Sequence, residues 1–158
     1  MAVDMYLEIK DIPGESERKD KAIDVLAWSW GMSQSGNFHQ GGGGTAGQAN
    51  VQDVSLTKWL DKASTKLMLH CLSGEHIPEA TLTVRKAGGA KPIDYFKIVL
   101  TDVLVSSVST GGSGGEDRLT ENVSLHFAKM KADYSLQKKD GSATPAGNVS
   151  WDVAKNKK

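Results

Sequence analysis

Three glycines in the first third of the chain have the spacing of a dinucleotide-binding loop. Gly42, Gly44 and Gly47 form the pattern G-x-G-x-x-G within the stretch HQGGGGTAGQANVQ at residues 39–52. In a nucleotide site a strand precedes the first glycine, and a helix that begins at the last one directs its N–H groups at the phosphates. The residues that follow, 51–57, alternate in polarity and so indicate a strand. The sequence therefore predicts no phosphate site here.

A second glycine-rich stretch, GGSGG at residues 111–115, matches the pattern G-x-S-x-G around Ser113. That pattern marks the nucleophile of a hydrolase only where a strand leads into it and a helix follows. Residues 119–127 alternate like a strand instead, so a hydrolase that uses Ser113 is the weakest of the functional hypotheses.

The remaining side chains that could do chemistry form no recognisable site. The four histidines lack the spacing of zinc ligands, and His70 and its neighbour Cys71 point about 100° apart on a helix. Trp28 and Trp30 lie on one face of a strand, where they could stack on a ligand or belong to the core. We expect no metal, no cofactor and no catalysis.

Composition narrows the classes of protein that remain. Nineteen basic and nineteen acidic residues balance to a formal net charge of zero among 158 residues, which argues against a nucleic-acid binder and permits self-association. The single cysteine fits folding in a reducing cytosol, and the N-terminus resembles neither a signal peptide nor a transmembrane helix. The length predicts a single domain over residues 1–158, although the residues from about 138 onward are polar and supply only one short strand.

The periodicity predicts a mainly-β fold. One helix is expected, capped by Ser64, running from Thr65 to Leu72 and closed by Gly74, with an apolar stripe of Leu67, Met68, Cys71 and Leu72. Strands are predicted at residues 6–9, 23–32, 51–60, 80–85, 96–108, 119–127 and 148–153. Together these elements predict a β-barrel or two-sheet barrel with one flanking helix and a long glycine-rich loop.

Two predicted strands have faces of opposite character. In residues 23–32 one face is bulky and the other is small, and we expect the bulky face to be buried. The bulky face comprises Leu26, Trp28, Trp30 and Met32 with Asp24, and the small face Val25, Ala27, Ser29 and Gly31. In residues 119–127 the inward positions are expected to be Leu119, Val123, Leu125 and Phe127.

Several stretches, in the expected order, together resemble the Hcp (haemolysin-coregulated protein) family. They are residues 27–36, the glycine run that follows, residues 51–53, residues 85–89 and above all residues 103–123. The match covers most of the chain, and the residues from Lys138 onward match no motif.

The resemblance implies the inner tube of the bacterial type VI secretion machine, used in bacterial competition and virulence. Hcp-like subunits are expected to form six-membered rings that stack beneath a VgrG-type spike protein. A contractile sheath with its baseplate drives this tube, and effector proteins travel in its lumen. The chain would be cytoplasmic before firing and secreted without a signal peptide. No nucleic acid and no membrane insertion are implied.

Within that assembly the glycines and one serine are the candidate site residues. We expect contacts between subunits or between rings at Gly41, Gly42, Gly43, Gly44, Gly47, Gly111, Gly112, Gly114 and Gly115. Ser29, on the small face, is the candidate for lining the lumen and contacting effectors. The alternative for that face is close packing against the helix or a neighbouring subunit, and the alternative for the whole chain is a small-ligand-binding β-barrel.

Overall fold

Long antiparallel strands dominate the computed structural model of the chain, which describes residues 3–37, 45–86 and 92–158. The mainly-β fold class predicted from the sequence is confirmed. In chain order the elements are β1 (Val3–Ile9), β2 (Ile23–Asp24), β3 (Ala27–Ser29), β4 (Met32–Asn37), β5 (Thr45–Val51), β6 (Val54–Trp59), α1 (Ser64–Ser73), β7 (Ile77–Lys86), β8 (Ile93–Gly111), β9 (Thr120–Gln137) and β10 (Ala143–Asp152).

The main sheet curls into a barrel because one segment joins its two ends. The strand order is β2-β1-β7-β8-β9-β6-β3, with β10 paired to β9 beside it. Strands β2 and β3, at opposite ends of that order, are consecutive parts of residues 23–29. Between them the Val25 N–H donates to the Met5 carbonyl of β1 at 3.0 Å, and the Leu26 N–H donates to the Thr57 carbonyl of β6 at 2.8 Å. Strands β4 and β5 form a separate hairpin.

Alternating side chains fill the interior of the barrel. In β6, for example, Val54 and Leu56 are buried while Ser55 and Thr57 are not, which is the pattern of a strand with one face on the core. The two tryptophans pack against this core from its margin: Trp28 stacks on Phe96 with ring centroids 6.0 Å apart, and Trp30 meets Phe127 edge-on at 6.2 Å. Packing explains both rings without a ligand.

The closing segment corrects the predicted strand at residues 23–32. The chain crosses from β1 to β6 at Val25 and Leu26, and its alternation breaks there. Val25, placed by the sequence on the small outward face, is therefore buried at 5% exposure, whereas Leu26 and Met32 are 38% and 59% exposed. Leu119, predicted to point inward, lies outside β9 and is also exposed.

The helix forms where the sequence predicts it, but its cap differs. Gly74 adopts the left-handed conformation with φ 69°, as expected. Ser64 is the first helical residue and not the cap. Ala63 occupies the N-cap position without a side-chain hydrogen bond, and the Asp61 carboxylate accepts the Ala63 N–H at 2.9 Å just before the helix. Of the predicted stripe, Leu67 is buried, Met68 and Cys71 are half-buried, and Leu72 is 85% exposed.

A buried charged network fastens this helix to the barrel. Lys58 of β6 and Glu121 of β9 both face inward and form an ion pair with no solvent exposure. The Lys58 ammonium also donates to the Ser64 hydroxyl at 3.1 Å and the Asp61 carboxylate at 3.0 Å. The Ser64 hydroxyl donates in turn to Glu121 at 2.7 Å. Because a buried charge is tolerated only when it is paired and hydrogen-bonded, these groups depend on one another.

Removing one partner of this network is predicted to be costly. Lys58→Met leaves the Glu121 carboxylate buried without its cation, and we expect the free energy of unfolding to fall by about 3–5 kcal/mol. The double variant Lys58→Met/Glu121→Leu should recover part of that loss, because the fully buried carboxylate is removed together with its cation, and only Asp61, whose side chain is 5% exposed, keeps a charge there. Urea unfolding gives the free energy of unfolding of the wild type, the single variant and the double variant, and Lys129→Met at an exposed position serves as the control. A single variant as stable as the control would contradict the interpretation.

Candidate functional site

Ser29 lies on the outside of the barrel, at the margin of a face built from four strands. Residues paired across neighbouring strands point to the same side of a sheet, so the register defines this face directly. One row runs through Ser29, Ser55, Ser124 and Ser107, and the next through Ala27, Thr57, Asn122 and Ser109. We call these eight residues the hydroxyl face.

The hydroxyl face is small, polar and uncharged. Ser29 and Asn122 are exposed, and Thr57 donates a hydrogen bond to the Asn122 side-chain oxygen at 2.8 Å. Part of the face forms a shallow concavity of about 310 Å³. Hydroxyl and amide groups both donate and accept hydrogen bonds, whereas the face offers no base, nucleophile partner or metal ligand. It suits transient polar contact better than chemistry.

Charged side chains flank the hydroxyl face at one end. The Asp53 carboxylate accepts the Ser106 hydroxyl at 2.7 Å and lies 2.8 Å from Nδ1 of His126. In a hydrolytic triad the imidazole must stand between the hydroxyl and the carboxylate so that it can take the proton. Here the carboxylate stands in the middle, so the three residues have the wrong order for nucleophilic catalysis.

The same cluster fixes the base of the β4–β5 hairpin. Asp53 lies where the chain leaves β5 and enters β6. Beside it, the Trp30 indole N–H donates to the Gln52 carbonyl at 2.9 Å, and the Gln52 N–H donates to the Gly31 carbonyl at 2.9 Å. Four bonds at one junction set the direction in which the hairpin leaves the barrel. No sequence pattern indicates this cluster, because Asp53, Ser106 and His126 are far apart along the chain.

The second glycine stretch, residues 111–115, lies at the other end of the hydroxyl face, next to Ser109. Gly111 is the last residue of β8, residues 112–119 form an exposed connection without helix, and β9 follows at Thr120. The helix required behind Ser113 is therefore missing from this described segment, as predicted. Beside this connection the Arg118 guanidinium lies 4.7 Å from the centre of the Trp59 ring.

Among the described residues, no neighbour requires three positions of this stretch to be glycine. A methyl group added at Gly111, Gly114 or Gly115 would meet nothing within 4 Å, and the left-handed conformation is not adopted at any of the three. Gly112 differs, because an added Cβ would collide with the Leu119 side chain. Something outside this subunit, or a need for mobility, would account for the three glycines.

The first glycine stretch is only partly visible. Gly41, Gly42, Gly43 and Gly44 lie outside the described residues. Gly47 falls within strand β5 and not in a loop, where an added Cβ would collide with Ser35 of the paired strand β4. Its role is therefore local: it lets the two strands of the hairpin approach closely.

The described part of the chain contains neither a cluster of metal ligands nor a helix that could span a membrane. No group of three or more His, Cys, Asp or Glu side chains there is placed to hold a metal ion. His70 instead lies 3.3 Å from the Glu75 carbonyl at the end of the helix, and Cys71 is a half-buried thiol. Within the described ranges, no helix has the length and apolar character needed to span a membrane.

Comparison with known proteins connects this architecture to one family. Residues 6–134 match the family described as the type VI secretion system effector Hcp. The chain is 59% identical over 160 residues to the protein Hcp1 of Pseudomonas aeruginosa, covering 99% of this chain and 98% of that relative.

Solved structures agree with the sequence comparison. A structure described as a type six secretion system protein has a TM-score of 0.90 at 30% identity, and covers 99% of each chain. Hcp1 from Salmonella typhimurium has a TM-score of 0.76 at 34% identity, with 99% of each chain covered. A type VI secretion system effector from Yersinia pestis has a TM-score of 0.74 at 32% identity, over 95% of this chain and all of that one.

The family model covers residues 6–134, and the similar proteins match this chain over nearly its whole length. The chain belongs to the Hcp family of type VI secretion proteins.

Proposed function

We propose that the chain is the structural subunit of a type VI inner tube, which assembles into hexameric rings that stack and carry effectors through a central lumen. The observation that carries this proposal is the hydroxyl face, because eight neighbouring outward positions across four strands hold no charge and no large apolar side chain. A wall along which proteins travel must lack apolar patches that would retain them. Residues 1–158 act together as one tube unit in this proposal.

Family membership supports the remaining partners of the proposal. These are further copies of the chain, a VgrG-type spike, the contractile sheath with its baseplate, and effector proteins. Before firing the subunit resides in the cytoplasm, and the machine exports it without a signal peptide. The formal net charge of zero removes a repulsion that would oppose packing of identical subunits.

The competing small-ligand-binding barrel is less well supported. That hypothesis rests on the tryptophan pair and the double-glycine loops, but Trp28 and Trp30 pack on Phe96 and Phe127. The interior that would hold a ligand is filled by the apolar cluster of the core. Native mass measurement separates the two functions, since a ring of six copies and a monomeric binder differ sixfold in mass.

The glycine stretch after β8 is predicted to contact the next ring. Gly114→Val/Gly115→Val adds bulk where the subunit itself has free space, so each subunit should fold normally while tubes shorten or fail to form. Electron microscopy and sedimentation of the purified protein measure rings and tubes. Gly147→Val in β10 is the matched control, because that glycine also has nothing within 4 Å of an added Cβ. Tubes of unchanged length in the double variant would remove the stretch from the ring contact.

Ser29 is predicted to line the lumen. Ser29→Gln places a longer polar group on the hydroxyl face, and we expect intact rings with effector binding changed several-fold. Native mass reports the ring, and co-purification of a co-expressed effector reports binding. Ser150→Gln makes the same exchange at an exposed position of β10 and should leave both unchanged. Ring collapse on Ser29→Gln would favour close packing instead, and unchanged binding in an intact ring would remove Ser29 from the lumen.

Catalysis is not expected. Ser113 is not followed by the helix that a nucleophile elbow requires. In the separate cluster of Ser106, Asp53 and His126, the carboxylate stands between the hydroxyl and the imidazole, where a catalytic triad needs the imidazole. Purified protein should therefore hydrolyse no ester substrate and show no heat of nucleotide binding in calorimetry. Hydrolase activity that disappears with Ser113→Ala would overturn this expectation.

A further inference from the structure

A second concavity, of about 370 Å³, lies where β8 leads into the glycine stretch. It is formed by residues 109–113 together with Glu116, Thr120 and Asn122, and we call it the polar pocket. Its volume is in the range of small-molecule sites, about 300–1,000 Å³. Asn122 also lines the shallow concavity of the hydroxyl face, so the two depressions adjoin.

The absence of a side chain at Gly111 opens this pocket. The register places Trp59, Thr120 and Gly111 in one row on the outward side of β6, β9 and β8. A Cβ added at Gly111 would meet nothing within 4 Å, and the left-handed conformation is not adopted there. Open space beside a bare backbone lets a ligand approach the peptide groups closely.

Every side chain that lines the polar pocket is polar. The Asn122 amide is oriented by Thr57, whose hydroxyl donates to Asn122 Oδ1 at 2.8 Å, so the amide N–H groups are its remaining donors. The other uncharged side chains carry hydroxyls that both donate and accept hydrogen bonds: Ser109, Thr110, Ser113 and Thr120. This lining gives an apolar ligand nothing to pack on and matches a ligand that is itself rich in hydroxyl groups.

Glu116 is the one charged residue of the pocket, and its carboxylate restricts the charge of the ligand. Among the described residues it forms no ion pair within 4.0 Å. Two carboxylate oxygens can accept hydrogen bonds from two adjacent hydroxyls of one ligand, and bonds to an ionised acceptor are stronger than neutral ones. The same charge repels phosphate, sulfate and carboxylate groups.

An indole ring adjoins these polar groups. Trp59 follows Thr120 in the row that ends at Gly111, and it is half-buried. The Arg118 guanidinium lies 4.7 Å from the centre of its ring and holds the ring in place. A sugar combines hydroxyl groups with faces of carbon-bound hydrogens, and such faces pack on aromatic rings.

We propose that the polar pocket binds a neutral saccharide, whose hydroxyl groups bond to Glu116 and Asn122 and whose ring lies beside Trp59. A free sugar and a sugar unit within a glycan chain offer this same chemistry. The site is built within one subunit, so the inference does not rest on the assembly of rings into tubes.

The test measures saccharide binding to the purified full-length protein by saturation-transfer NMR. Cellobiose and chitobiose represent free sugars, and cellohexaose and chitohexaose represent glycan chains. Because the pocket is open, we expect a Kd on the order of 1 mM, together with a shift of the Trp59 indole N–H resonance. Binding of the disaccharides assigns the site to free sugars, and binding of the hexasaccharides alone assigns it to glycan chains. Binding of none of the four would overturn the inference.

Two variants locate the binding. Gly111→Val fills the pocket where the subunit has free space, and Glu116→Gln removes the charge with little change of shape. Each should weaken binding about tenfold, the loss of one charge-assisted hydrogen bond. Gly147→Val, at a glycine with equal free space, and Glu17→Gln, at an exposed carboxylate, are the matched controls and should bind like the wild type. Unchanged binding by the two pocket variants, or equal binding of a sulfated disaccharide, would contradict the proposal.

Native mass of the same samples separates this inference from the proposed function. Protein that binds saccharide and forms no rings would refute only the tube function. Rings that bind no saccharide would refute only the polar pocket as a binding site.

Discussion

Closure of the barrel by residues 23–29 is the constraint on which the rest of the structure depends. This short segment donates backbone hydrogen bonds to β1 on one side and to β6 on the other. It covers part of the open edge of each strand, with two residue pairs to β1 and three to β6. The crossing also fixes the side chains of the segment, since Val25 turns into the core while Ala27 and Ser29 remain outside.

The buried network around Lys58 is the second fixed point, and it acts on a different part of the molecule. It joins β6, β9 and the first turn of α1 through one ammonium group and two carboxylates. An apolar cluster of the same volume would be as stable or more so, but it would impose less on the geometry. The two strands tied here, β6 and β9, carry half of the hydroxyl face, and the connection that follows the glycine stretch enters β9 at Thr120, next to Glu121.

Together these two features give the barrel opposite walls of different chemistry. The wall of β6 and β9 is uncharged and small, whereas the wall of β1 and β7 concentrates unpaired charges of both signs. The balance of charge over the whole chain conceals this asymmetry, which only the placement of the residues reveals.

The sequence by itself determined the fold class, the helix with its αL glycine and the failure of both glycine motifs, since these follow from local periodicity and local backbone preference. The alternation of residues 119–127 predicted no burial for Glu121, whose carboxylate the structure places in the core. Only the tertiary structure brought Lys58 and Ser64 to the Glu121 carboxylate, and Asp53 to His126. The partners in these contacts are 57 to 73 residues apart, so no local pattern could join them. The alternation of residues 23–32 also did not reveal that the chain passes from β1 to β6 at Val25 and Leu26. A strand that changes its pairing partner keeps its local sequence pattern up to the residue at which it changes.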